Sequence, residues 1–129
     1  LHHNYFYRTI RRNPFLRHGK VHAFNNVFRE WGEGNGGDLI AATFESQLRA
    51  ENNVFEAGAN KRALRLEVGS KNSVAGFVAA SGNMLLGGAE FFENEPSRVF
   101  VPETLYEYAT DTADDDLIER VERSSGRIE

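Results

Sequence analysis

The feature that most constrains the fold is a weak internal repeat built around single asparagines. Four segments share one small pattern, which reads H-N-Y-F at 3–6, N-N-V-F at 25–28, N-N-V-F at 52–55 and G-N-M-L at 82–85. The second residues of these segments are Asn4, Asn26, Asn53 and Asn83. Repeats separated by 20 to 50 residues are typical of solenoids, whose coils stack and share one core.

Short strands, rather than helices, are predicted between these asparagines. Five segments alternate apolar with polar residues and are rich in Val, Phe and Ile: 21–28, 39–44, 48–55, 64–68 and 74–80. An asparagine at one bend of every coil could stack on its neighbours, because an amide both donates and accepts hydrogen bonds. Asparagine also tolerates the left-handed backbone of a sharp bend, although it is common in turns of every kind.

The C-terminal part of the chain has a different pattern. An irregular stretch at 90–108 contains Pro96 and Pro102, and a helix is predicted after it, with Thr112 as the cap and Asp115 three residues later. Leu117, Ile118 and Val121 form its apolar stripe, and Gly126 is the predicted stop. The aspartates at 114–116 could be a metal cluster, but a helix N-terminus accounts for them. We therefore divide the chain into coils and a following loop at 1–110 and a helix at 111–129.

Charge is distributed unevenly along the chain. The net charge is -4, yet residues 1–29 contain six cations and no acidic residue. Such a segment suits an anionic partner, either nucleic acid or a polyuronate, or it is neutralised by the acidic remainder or by a preceding part of the protein. The chain begins within a strand pattern and without Met, so we expect that an N-terminal part is missing. It has no apolar run long enough to predict a membrane span and no nucleic-acid recognition motif.

Several weaker candidate sites have structural explanations. The glycine-rich segment 32–37 is followed by a strand pattern, whereas a dinucleotide motif needs a helix there. His18 and His22 have the spacing of a helical zinc pair, but Gly19 and the strand pattern argue against a helix. The adjacent His2 and His3 are expected on opposite faces of a strand. Trp31 is expected in the core, with sugar stacking as the alternative.

The sharpest candidate is an R-x-P-x-x-R motif formed by Arg12, Pro14 and Arg17. It follows the first predicted strand and precedes the second, so we expect it on a loop at the edge of the coils. Pro14 fixes its own φ and biases Asn13 towards an extended backbone, which stiffens the loop. Guanidinium groups bind carboxylates in a bidentate way, so the pair could hold an acidic ligand. On spacing alone, two solvated surface arginines are the favoured explanation of the motif.

The context of this motif resembles the pectate lyases of polysaccharide lyase family one. In that family an H-H-N strand leads into R-x-P-x-x-R, which a glycine and a V-H-x-x-N-N strand follow, and an E-N-N-x-F-E strand comes later. This chain has the four elements at 2–4, 12–17, 21–26 and 51–56. The resemblance implies a right-handed parallel β-helix with a short C-terminal α-helix. It also implies a secreted, extracellular lyase of pectin catabolism that cleaves α-1,4-linked polygalacturonate by β-elimination.

The resemblance further assigns residues. Arg12 corresponds to the catalytic base and Arg17 to the arginine that binds a substrate carboxylate. An arginine can act as a base only where desolvation and neighbouring cations lower its pKa from an ordinary value above about 12. The family uses Ca²⁺, but its acidic ligands and a substrate-binding lysine lie upstream of the H-H-N strand, so no metal ligand is assigned in this chain.

These implications predict a fragment that is inactive alone and forms a monomeric enzyme with its N-terminal coils. A related branch, the pectin lyases, acts on methyl-esterified substrate without calcium and usually lacks the second arginine, so Arg17 favours pectate. The alternatives are a non-catalytic carbohydrate-binding β-helix and a pectin lyase. Nucleic acid and membranes are not expected as partners.

Overall fold

The computed structural model describes residues 1–9, 14–32, 38–66 and 74–124 of the chain. Within them lie ten short strands: β1 (Tyr5–Tyr7), β2 (Phe15–Arg17), β3 (Lys20–Phe24), β4 (Val27–Arg29), β5 (Ile40–Thr43), β6 (Gln47–Glu51), β7 (Val54–Glu56), β8 (Leu64–Arg65), β9 (Phe77–Ser81) and β10 (Met84–Leu86). They form three parallel sheets in the orders β1-β4-β7-β10, β2-β5-β8 and β3-β6-β9. Each coil contributes one strand to each sheet, so the predicted parallel β-helix is confirmed.

A column of asparagine side chains, the asparagine ladder, joins the coils at one bend. Asn53 Oδ1 accepts hydrogen bonds from the backbone N–H of Asn26 at 2.9 Å and from Asn26 Nδ2 at 3.1 Å. The same two contacts link Asn4 to Asn26, and Asn53 to Asn83. Asn53 Nδ2 also donates to the carbonyl of Ala23 at 3.0 Å. The ladder thus satisfies buried backbone groups at a bend where the strand hydrogen bonds stop.

The left-handed backbone falls one residue before each ladder asparagine. The φ angles are 54° at His3, 55° at Asn25, 51° at Asn52 and 66° at Gly82. The expectation that the repeated asparagines themselves adopt this conformation is therefore wrong, because the bend is made by the preceding residue. At position 82 a Cβ atom would lie 1.9 Å from Asn52 Oδ1, which explains the glycine there.

The bend also corrects the predicted strand boundaries. The segments 21–28 and 48–55 were each expected as one strand, but each contains the bend and splits into two strands that belong to different sheets. The alternation of apolar and polar residues continues through the asparagines, so the sequence pattern does not reveal the bend. The strands before and after the bend both contribute side chains to the same core.

Stacked aromatic rings fill the interior behind the ladder. Phe6, Phe28 and Phe55 occupy the same register position in β1, β4 and β7, and their ring centroids lie 4.8 and 5.1 Å apart. Phe91, which follows the last strand, adds a fourth ring 4.7 Å from Phe55. Each such pair contributes about 0.5–1.5 kcal/mol beyond the area it buries. The stack thus holds the coils in register on the inside, as the ladder does at the bend.

The side chains of the left-handed residues attach the C-terminal tail to the coils. Asn25 Nδ2 donates to the carbonyl of Asp111 at 2.6 Å, and Asn25 Oδ1 accepts from the Asp111 N–H at 2.8 Å. Asn52 Nδ2 donates to Thr110 Oγ1 at 2.7 Å, and His3 Nε2 lies 2.8 Å from Asp111 Oδ2. In the pairs at 3–4, 25–26 and 52–53 the first residue therefore holds the tail, and the second builds the ladder.

The predicted C-terminal helix is present as α1 (Asp115–Ser124). Its cap is Asp114 rather than Thr112, because Asp114 Oδ1 accepts a hydrogen bond from the Leu117 N–H at 2.8 Å. The buried side chains of Leu117 and Val121 pack on Val27 and Val54, on the outer face of the β1-β4-β7-β10 sheet. The described helices include none with the length and apolar character needed to cross a membrane. Gly126 lies outside the described residues, and the division of the chain at residue 110 stays a prediction.

We predict that Asn53→Ala lowers the free energy of unfolding by about 3 kcal/mol, because it leaves several buried groups without partners at about 1–3 kcal/mol each. Denaturant titration of the purified chain measures this value. Asn60→Ala is the matched control, since Asn60 lies outside the ladder and its Oδ1 accepts an exposed hydrogen bond from the Arg62 N–H. Equal losses in the two variants would contradict a structural role for the ladder.

Candidate functional site

The R-x-P-x-x-R motif is only partly within the described residues. Arg12 lies outside them, so its role as the catalytic base stays a prediction. Arg17 is the last residue of β2, and the expectation that the whole motif lies on a loop is wrong. Hydrogen bonding explains the difference, because Phe15, Leu16 and Arg17 pair in parallel with Ala41, Ala42 and Thr43 of β5.

Strand alternation places Arg17 on the outer face of the β2-β5-β8 sheet. Leu16 points into the core, and Arg17 is exposed to solvent. Thr43, the register partner of Arg17, is fully buried, and its Oγ1 donates to the carbonyl of Leu16 at 2.8 Å. Arg65 of β8 is a second exposed arginine next to the inward-pointing Leu64. This face of the sheet therefore presents exposed arginines on strands whose neighbouring leucines are packed in the core.

The guanidinium of Arg17 rests on an aromatic ring. Its Cζ atom lies 4.3 Å from the ring centroid of Phe44, which is half-buried and directly follows β5. His18 contacts the same ring, with the centroids 5.8 Å apart. Guanidinium groups stack on aromatic faces and keep their in-plane N–H donors available for carboxylates. The geometry therefore suits the binding of an acidic ligand at Arg17.

A second polar cluster, on the outer face of the β3-β6-β9 sheet, is covered by the tail. His22 Nε2 lies 2.8 Å from Glu51 Oε2, and His22 Nδ1 lies 2.6 Å from the Tyr106 hydroxyl. The Tyr108 hydroxyl contacts Glu51 Oε2 at 2.9 Å and Glu103 Oε1 at 2.7 Å. Burial, together with these two carboxylates, raises the pKa of Tyr108. The cluster joins the tail to the coils, and His22 takes part in it from strand β3 rather than from a helix.

His2, His3 and the tryptophan have structural roles too. His2 and His3 were expected on opposite faces of a strand, but the bend at His3 brings their Nδ1 atoms within 2.9 Å. Burial, and then the proximity of His3, lowers the pKa of His2. Trp31 is fully buried and donates from its indole nitrogen to the Arg62 carbonyl at 2.9 Å, so it packs in the core. The glycine-rich residues 33–37 lie outside the described part of the chain, and the segment after them is strand β5.

The donor chemistry around Arg17 does not fit a calcium site. Ca²⁺ takes six to eight oxygen ligands, several of them carboxylates. Within residues 1–9, 14–32, 38–66 and 74–124, no group of three or more acidic or histidine side chains is arranged to hold a metal ion. Phe44, His18 and Thr43, the described neighbours of Arg17, supply no carboxylate.

A sequence model of one family, described as pectate lyase, matches residues 1–126. The chain belongs to the pectate lyase family. This membership agrees with the motif resemblance that the sequence shows at its N-terminal end. Among curated protein sequences, none is significantly similar to the chain.

Two solved pectate lyases share the fold. The enzyme from Bacillus sp. N165, solved in complex with trigalacturonate, has a TM-score of 0.74 and 24% sequence identity. The enzyme from Acidovorax avenae subsp. citrulli has a TM-score of 0.60 and 20% identity. The match covers 97% of this chain and 39% of the Bacillus enzyme, and 94% of this chain and 31% of the Acidovorax enzyme. The chain thus spans less than half the length of either relative.

The contact between His3 and Asp111 makes stability depend on pH. The hydrogen bond with His3, together with the nearby Arg120 guanidinium, lowers the pKa of Asp111. A carboxyl group whose pKa is lower in the folded state stabilises the fold above its unfolded pKa, near 3.9, and loses this contribution as the pH falls through its folded pKa. We predict that Asp111→Asn makes the fall in stability below about pH 4 shallower.

Denaturant titrations at a series of pH values measure this effect. Asp116→Asn is the control, because Asp116 is exposed and pairs with Arg120 only along the helix surface, at 2.8 Å. The control should keep the steepness of the native chain. If Asp111→Asn lost stability on acidification as steeply as the native chain and the control, the contact between His3 and Asp111 would not contribute to the pH dependence.

Proposed function

We propose that this chain is the C-terminal part of a pectate lyase that cleaves α-1,4-linked polygalacturonate by β-elimination. Membership of the pectate lyase family supports the reaction class. The complex of the Bacillus relative with trigalacturonate supports an acidic polysaccharide as the substrate. In this proposal Arg12 is the base and Arg17 binds a substrate carboxylate.

The observation that carries the proposal is the presentation of Arg17. The irregular tail and α1 lie across the outer faces of two sheets, where they contact Glu51 and Val27. On the β2-β5-β8 sheet, Arg17 of the R-x-P-x-x-R motif is exposed to solvent. A guanidinium held on a rigid strand can form a bidentate pair with a uronate carboxylate and fix the sugar against the base.

The chemistry proceeds without added water. Arg12 removes the proton on C5 of the uronate, and the electron pair forms a C4–C5 double bond. The bond between C4 and the glycosidic oxygen breaks, and the leaving oxygen takes a proton from solvent. Negative charge develops on the uronate in the transition state, so a cation at the carboxylate accelerates the step. In this proposal the family's Ca²⁺ would supply that charge, and Arg17 binds a substrate carboxylate and orients the sugar.

The rest of the active site belongs, in this proposal, to preceding coils of the same protein. The Ca²⁺ implied by the family would be bound there, since the described residues offer no fitting donor set. The complete enzyme would be a secreted, extracellular monomer of pectin catabolism, and this chain alone would be inactive. We expect that chelation abolishes the activity of the full-length protein and that added Ca²⁺ restores it, as measured by release of unsaturated product.

We predict distinct effects for the two motif arginines in the full-length protein with polygalacturonate and Ca²⁺. Arg12→Lys should lower kcat by at least about 100-fold, the range for loss of a general base, while binding is retained. Arg17→Ala should lower kcat/KM by about 10- to 150-fold, which corresponds to a charge-assisted hydrogen bond of about 1.5–3 kcal/mol. Ultraviolet absorbance of the unsaturated product reports turnover, and calorimetry reports binding.

Arg98→Ala is the matched control, because Arg98 is exposed and also rests on an aromatic ring, Phe77, at 4.2 Å. Arg98→Ala should leave kcat and kcat/KM unchanged. Full activity in Arg12→Lys would refute the assigned base. Binding without product would favour a non-catalytic carbohydrate-binding β-helix, and faster cleavage of methyl-esterified pectin would favour a pectin lyase.

A further inference from the structure

Phe44 occupies an unusual position for a large aromatic residue. Its φ angle is 50°, and that of the following Glu45 is 58°, so two consecutive residues with side chains have left-handed backbone. This conformation costs about 1–2 kcal/mol for each such residue. Strain of this kind persists only where the surroundings enforce it, and it is concentrated at functional sites.

The surroundings of this turn enforce the strain through the backbone. The Phe44 N–H donates to the Val74 carbonyl at 2.5 Å, and the Glu45 N–H donates to the Ala75 carbonyl at 3.2 Å. Gly76 allows the two coils to approach this closely, because a Cβ atom at this position would lie 2.5 Å from the Ala42 carbonyl oxygen. The neighbouring coil therefore closes tightly on the turn and fixes the direction of the Phe44 side chain.

The fixed ring lies under Arg17. Arg17 and Thr43 are register partners, and Phe44 directly follows Thr43 at the end of β5. The Phe44 ring can therefore reach the Arg17 guanidinium. The Cζ atom is 4.3 Å from the Phe44 centroid, and His18 packs against the same ring. A long arginine side chain has many rotamers, and their restriction before binding lowers the entropy cost of forming a bidentate pair.

We infer that Phe44 is a positioning residue, which holds the Arg17 guanidinium in the orientation that receives a substrate carboxylate. The inference rests on the proposed function of Arg17 and adds a specific partner to it. Phe44 acts through Arg17, so its loss should affect substrate affinity more than the chemical step.

Steady-state kinetics of the full-length protein on polygalacturonate test this role. Phe44→Leu keeps a Cβ atom at the strained position and removes only the ring. We expect KM to rise by about 2- to 5-fold, the factor that corresponds to an exposed cation–π contact, with kcat nearly unchanged. Phe44→Trp should restore the KM of the native protein, because indole binds cations at least as well as phenyl.

A double-mutant cycle distinguishes positioning from general destabilisation. In an Arg17→Ala background, Phe44→Leu should give no further rise in KM. Phe77→Leu is the matched control, since the Phe77 ring lies under Arg98 at 4.2 Å and belongs to the β3-β6-β9 sheet, and it should not change KM. An equal rise in KM with and without Arg17, or no rescue by Phe44→Trp, would overturn the inference.

A spectroscopic measurement keeps this inference separate from the proposed function. In nuclear magnetic resonance of the full-length protein, the ring current of Phe44 should displace the Arg17 side-chain protons upfield. Phe44→Leu should abolish that displacement, and Phe44→Trp should keep it. A displaced signal in a protein without lyase activity would refute the proposed function alone. A lyase whose KM and Arg17 signals are unchanged by Phe44→Leu would refute the positioning role alone.

Discussion

Alignment of the coils depends on the asparagine ladder. A parallel β-helix turns sharply in every coil, and at each turn the strand hydrogen bonds stop while the backbone remains buried. In this chain the amides of Asn26 and Asn53 take over those hydrogen bonds, and both residues are fully inaccessible to solvent. Because the amide both donates and accepts, each coil fixes the height of the next. The register of the three sheets, and hence the position of every outer side chain, follows from this constraint.

The tail uses the other half of the same repeat. The residue before each ladder asparagine has left-handed backbone, and the side chains of His3, Asn25 and Asn52 at this position contact the tail instead of the column. Asn25 and Asn52 use this position to hold Asp111 and Thr110, and α1 then lies across the apolar outer side chains of β4 and β7. Two adjacent asparagines thus serve two purposes, which a sequence pattern alone does not separate.

Sequence reasoning predicted the coils and the family well because both depend on local patterns. The spacing of the asparagines and the apolar alternation define a solenoid, and the motif residues are contiguous. The details that it missed depend on contacts between coils. The bend within 21–28 and the strand at Arg17 follow from pairing with neighbouring coils, and Asp114 replaces Thr112 as the cap because of where the helix meets the sheet. Phe44 was also missed, because the residue paired with Arg17 is Thr43, and Phe44 reaches the guanidinium only through the turn that follows β5.

That contact shows how a solenoid brings outer side chains of two coils together. Register partners in a stacked repeat lie side by side on one face of a sheet, so Arg17 of β2 and the end of β5 at Thr43 and Phe44 belong to successive coils. Inward positions must pack, as the Phe28 and Phe55 rings do, whereas outward positions are free to vary. The strained turn at Phe44 sets the Phe44 ring against the Arg17 guanidinium. The backbone hydrogen bonds from the neighbouring coil offset the free-energy cost of the left-handed conformation. A pair of this kind can be built from two neighbouring coils at any level of the stack.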